Sequence, residues 1–90
     1  MKNNRPNWIT DWMLTDILNN HLPDVCEWIE KYPPTDTQLS SKSEEALLQH
    51  FENNLDDFWS YLEELEADGA INLTDILLWA ESREFRALGV

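Results

Sequence analysis

Between Leu48 and Leu65 the apolar residues fall at Leu48, Phe51, Leu55, Phe58, Leu62 and Leu65, with gaps of 3, 4, 3, 4 and 3. That alternation holds side chains on one face of an α-helix and is the spacing of a heptad seam. A strand cannot carry it, because its two faces alternate every second residue. The spacing predicts one helix over residues 43–68. "SKSE" at 41–44 fits a capping box, with Ser41 at the N-cap and Glu44 three residues on. Gly69 after Asp68 suits the left-handed position that ends a helix. About 25 residues at ~1.5 Å each make a rod of roughly 38 Å. In a chain of 90 residues such a rod is the expected spine.

Shorter helices are expected on either side. In "ITDWML" Thr10 is an N-cap candidate, Asp11 suits the first turn, and Ile9 with Leu14 makes a hydrophobic staple. Met13, Leu14, Ile17, Leu18 and Leu22 continue at helical spacing, and Pro23 stops that helix near His21. Pro23 in turn opens a second helix, with Val25, Trp28, Ile29 and Tyr32 on its buried face and Pro33-Pro34 as its end. Residues 33–42 read as a loop, and residues 1–8 as a flexible polar arm. A last helix opens at "NLTDILLW", with Thr74 as N-cap and Leu73 and Leu78 as staple. The pentapeptide "LTDIL" occurs at 14–18 and 73–77, but the two copies diverge at once downstream. They are helix-start chemistry used twice, not a repeat. The first copy is mid-helix, with Thr15 and Asp16 expected on the exposed side. The fold class is therefore all-α: a single-domain bundle of three or four helices built on one long acidic central helix.

Charge narrows the function. Eighteen acids oppose six bases, a formal −12. Residues 43–82 carry eleven acids and no lysine or arginine. That surface repels nucleic acid and anionic lipid and attracts a basic protein. One cysteine, Cys26, excludes an internal disulfide and suits a cytoplasmic setting. "MKNNRPNW" lacks the apolar stretch of a secretory signal.

Catalytic and metal chemistry find little purchase. His21, Cys26 and His50 have no metal-ligand spacing, so no metal or other cofactor is expected. Neighbouring acids such as Asp56-Asp57 point about 100° apart on a helix and do not share a proton. No glycine-rich phosphate loop follows a strand. The chain points away from an enzyme. Arg83 and Arg86 are the only basic grouping near an aromatic, Trp79, and complement the end of the last helix.

What remains is the acidic helix itself. On a helical wheel Glu45, Glu52, Asp56 and Glu63 share one flank beside Trp59, at intervals of 7, 4 and 7 residues. These are steps of roughly 10, 6 and 10 Å. Asp57, Glu64 and Asp68 form a second line on the back, and Glu66 is a further candidate contact. Duplex phosphates repeat every ~3.4 Å along each strand, so a rigid row of carboxylates can imitate them. Exposed helices usually interleave lysines for pair stabilisation, and this one has none. The expected partner is a basic, nucleic-acid-binding enzyme or complex, bound through these acids with Trp59 and Tyr61 as aromatic anchors. In size and charge the chain resembles small acidic proteins of phages and mobile elements, including inhibitors of restriction and CRISPR systems. It also resembles acidic helical immunity proteins that neutralise nuclease toxins. Both resemblances are of composition and imply inhibition by charge mimicry or capping. A rival reading is a helical adaptor, using the seam to pair as a homodimer or an exposed patch of Leu78, Trp79 and Phe85.

Overall fold

The computed structural model describes residues 5–89. These form six α-helices: α1 Asp11–Asn20, α2 Leu22–Lys31, α3 Thr37–Ser40, α4 Glu44–Asn53, α5 Leu55–Ala67 and α6 Leu73–Ala87. No strand occurs among the described residues. The all-α class expected from the spacing is what the chain adopts. Its Cα radius of gyration is 12.8 Å, close to the ~12 Å of a compact domain this long.

Local signals explain where most helices start and stop. The Thr10 hydroxyl accepts from Met13 N at 3.1 Å, and both staple residues, Ile9 and Leu14, are buried. α2 follows α1 after a single residue, His21, with Pro23 in its first turn, where a missing N–H costs nothing. Ser43, not Ser41, caps α4 and accepts from Ala46 N. Asn72, not Thr74, caps α6 by accepting from Asp75 N. Residues 33–42 are not wholly loop: Asp36 accepts from Gln38 N and Leu39 N and so nucleates the one-turn α3. α5 ends in a Schellman motif. Gly69 takes φ +75°, Gly69 N donates to Glu66 O, and Ala70 N donates to Leu65 O.

The single rod is the main correction. The chain leaves helical geometry at Asn54 (φ −136°, ψ 76°), and α4 and α5 are separate helices. In a straight helix Phe51 and Tyr61 lie about 15 Å apart along the axis, on different faces. Here their rings stack at 5.3 Å, and Phe51 also meets Phe58 at 5.4 Å. The His50 imidazole and the Asp57 carboxylate, seven residues apart, meet at 2.7 Å across the same corner. Asn54 is a weak helix former, and its side-chain amide donates to His50 O, closing α4. A corner here lets one aromatic cluster bury both halves of the seam. Phe51, Phe58, Leu62 and Leu65 are buried and Leu48 and Leu55 half-buried, so the seam turns inward.

The centre of the bundle is accordingly α1, which packs against α2, α5 and α6. Met13, Leu14 and Ile17 are fully buried. Asp16 is buried as well, against the exposed position expected of it. It accepts two hydrogen bonds from Arg83 of α6, at 2.7 and 3.2 Å, and another from Asn20. The Arg83 guanidinium lies 5.0 Å from the centre of the Trp79 ring, whose other neighbour is His21, edge-on at 4.4 Å. The Asp16 hydrogen bonds hold the Arg83 pKa above its ordinary value. Arg83 is thus a tie between α1 and α6 and more than a helix-end charge. Thr10 Oγ1 adds a second tie by donating to Glu84 at 2.8 Å.

Of the expected polar arm, residues 1–4 lie outside the described residues. Residues 6–9 make a turn closed by Ile9 N donating to Pro6 O. Arg5, just before it, is anchored by Asp11 and Asp56.

Candidate acidic interface

The corner at Asn54 redistributes the two acidic lines. Glu45 and Glu52 keep their seven-residue spacing on α4, and Asp56 and Glu63 keep theirs on α5. The four do not form one straight row, because the axis changes between Glu52 and Asp56. All four are exposed, as are Asp57, Glu66 and Asp68. Glu64 is half-buried, and its carboxylate accepts from Thr35 N at 3.2 Å, tying α5 to the residues before α3.

The corner brings acids of three helices to one cleft. Glu52, Asp56 and Asp57 line an open cleft of about 510 Å³ with Asp11 of α1 and Arg5. Arg5 occupies it as a bridge, 2.7 Å from Asp11 and 3.1 Å from Asp56. Asp57 is held from the other side by His50. Two further grooves share lining residues with the cleft. Arg5, Asp11 and Asp56 also line a groove towards Pro6 and Thr10. Glu52 also lines a groove towards Leu18, Leu22, Glu45 and Leu48. Glu52 thus stands between the corner cleft and the groove along α4.

Two expected anchors are not on this surface. Trp59 is only 4% exposed and Tyr61 2%. α5 is packed by α1, α4 and α6, so its buried arc is wider than the heptad seam and takes in both rings. Tyr61 OH donates to Tyr32 O at 2.6 Å, and burial, followed by the charge of Glu64, pushes the phenol well above its ordinary pKa. The Trp59 indole N–H has no acceptor among the described residues. Tyr32, expected in the core, exposes its ring while its carbonyl serves Tyr61.

Asp11 and Arg5 are the members that sequence reasoning missed. Asp11 was assigned to the helix dipole alone, and no local pattern links Arg5 to Asp56, 51 residues on. Asp16 carried no such signal either. It lies about 60° beyond Met13 on the wheel, outside the apolar arc of α1, and only the packing of α6 against α1 buries it beside Arg83.

A second surface lies on α6. Leu78, Phe85 and Leu88 are each more than half exposed, whereas Trp79, expected beside them, is half-buried under Arg83. No group of three His, Cys, Asp or Glu side chains among the described residues is arranged to hold a metal ion. No described helix is long and apolar enough to cross a membrane. No protein-family description, curated protein or solved structure matches the chain.

Proposed function

We infer that this chain is a small acidic, non-enzymatic binding protein that inhibits a basic, nucleic-acid-acting protein by offering carboxylates in place of phosphates. One observation carries the reading. The cleft at the α4–α5 corner already receives a guanidinium, that of Arg5, between two carboxylates of different helices. It is a receptor for arginine, and arginine is the side chain with which proteins grip phosphate in a bidentate way. Glu45, Glu52 and Glu63 have no cationic partner among the described residues, so a partner's bases meet them unopposed. The charge of −12 would speed the encounter. An inhibitor carried by a phage or mobile element against restriction or CRISPR machinery is one form of this function. An immunity protein capping a nuclease toxin is another, with the same physics and a different partner.

The test is retention of basic proteins from a lysate at ~0.1 M and ~1 M salt, where the Debye length falls from ~10 to ~3 Å. A mimic releases its partner at high salt and on addition of duplex DNA. The triple reversal Glu52→Lys, Asp56→Lys and Glu63→Lys abolishes retention. Retention that survives the reversals ends the proposal.

A different reading has its own observation. The exposed Leu78, Phe85 and Leu88 on α6 suit a helical adaptor. Its binding would resist salt and fail on Phe85→Ser.

A further inference from the structure

We propose that the groove between the α1–α2 junction and α4 docks an amphipathic basic helix of the partner protein, with two arginines or lysines seven residues apart and an apolar side chain between them. This rests on the reading above and specifies the partner's binding segment. The groove is an open one of about 370 Å³. Leu18, Leu22 and Leu48 give it an apolar floor, Glu45 and Glu52 an acidic rim.

The floor is available. Leu22 is 41% exposed, and Leu48 is half-buried. An exposed leucine flanking a half-buried one is unfavourable in water and becomes favourable once a second apolar side chain covers both. The rim selects what covers them. Glu45 and Glu52 stand two helical turns apart, about 10 Å, with Leu48 between them on nearly the same face. Neither is ion-paired among the described residues. A helix lying along α4 has the same rise per residue. It therefore matches both carboxylates with bases at i and i+7 and reaches the floor from i+3 or i+4.

The same spacing rules out a second copy of this chain as occupant. Its bases, Lys2, Arg5, Lys31, Lys42, Arg83 and Arg86, are nowhere seven apart. A purely polar cationic strand would satisfy the rim and leave the leucines wet.

The probe is a pair of labelled helical peptides with arginines seven apart. One has leucine between the arginines and the other serine. Fluorescence anisotropy at low salt reads their affinity for the whole protein and for Leu22→Ser. That variant changes an exposed side chain, and its melting curve is checked alongside. The leucine peptide should bind at least about tenfold more tightly than the serine peptide, as partial burial of one leucine requires. Leu22→Ser should erase that advantage and leave the serine peptide's affinity unchanged. Equal binding of the two peptides, or an advantage that Leu22→Ser does not touch, overturns the groove and leaves charge mimicry standing. Failure of both peptides to bind overturns the groove as a docking site, while the charge reversals above decide the mimic separately.

Discussion

The corner at Asn54 invites a direct contest between helix propensity and packing. Asn54→Ala installs the best helix former at the break, favouring one continuous helix by at most about 0.7 kcal/mol. It also deletes the exposed hydrogen bond from Asn54 to His50 O, a further ~1 kcal/mol at most in favour of the corner. Straightening would pull Phe51 away from Phe58 and Tyr61. Two aromatic pairs are worth about 0.5–1.5 kcal/mol each beyond burial, and returning Phe51 to water costs about 1.5–3 kcal/mol. Packing thus opposes straightening by roughly 2.5–6 kcal/mol, more than the ~1.7 kcal/mol that propensity and the lost bond supply together. The corner should survive Asn54→Ala, with non-helical Cα shifts retained at residue 54 and nuclear Overhauser contacts kept between the Phe51 and Tyr61 rings. The melting temperature should move by no more than about 8 °C, since 1 kcal/mol is worth about 4–8 °C in a domain this size. Phe51→Ala attacks the side that wins. It should cost about 3–5 kcal/mol and more than about 12 °C. Uninterrupted helical shifts over 44–67 in Asn54→Ala, with loss of the ring contacts, would mean that local preference holds the corner and that the reasoning is wrong.

Other outcomes follow from single side chains. Tyr61→Phe keeps the stacked ring and removes the bond to Tyr32 O, so denaturation should show a loss of about 1 kcal/mol. Because burial raises the folded-state pKa of Tyr61 above the unfolded value near ~10, its neutral form contributes fully below that pH. That contribution is lost as pH rises towards the folded value, so denaturation midpoints taken from pH 8 upwards should fall more steeply in the wild type than in Tyr61→Phe. Parallel curves would discard this assignment. Burial, then Glu44, raises the Cys26 pKa, so alkylation at pH 8 should be slower in the folded protein than in urea and faster in Glu44→Gln. Leu78→Ser with Phe85→Ser should change stability by less than about 0.5 kcal/mol per site, whereas a large drop in melting temperature would show that this face is packed.

The acidic surface was only partly readable in advance. Glu45, Glu52, Asp56 and Glu63 are exposed, as the wheel placed them, because each lies outside the apolar arc of its helix. Their arrangement was not readable, since a wheel assumes one axis and the axis changes at Asn54. Trp59 was misplaced for a related reason. A heptad seam describes packing on one side, and α5 is covered by three helices.

Helix class, the start of α1 at Thr10, the passage from α1 to α2 at Pro23 and the stop at Gly69 were all present in the order of residues. Each depends on hydrogen bonds and steric limits that span a handful of neighbouring residues, so local sequence suffices. The corner, the burial of Asp16 against Arg83 across 67 residues, and the seating of Arg5 between Asp11 and Asp56 were decided by tertiary structure. There the controlling energies belong to partners distant in the chain. Aromatic packing outweighs helix continuity, and a buried carboxylate is stable only where the fold delivers its cation.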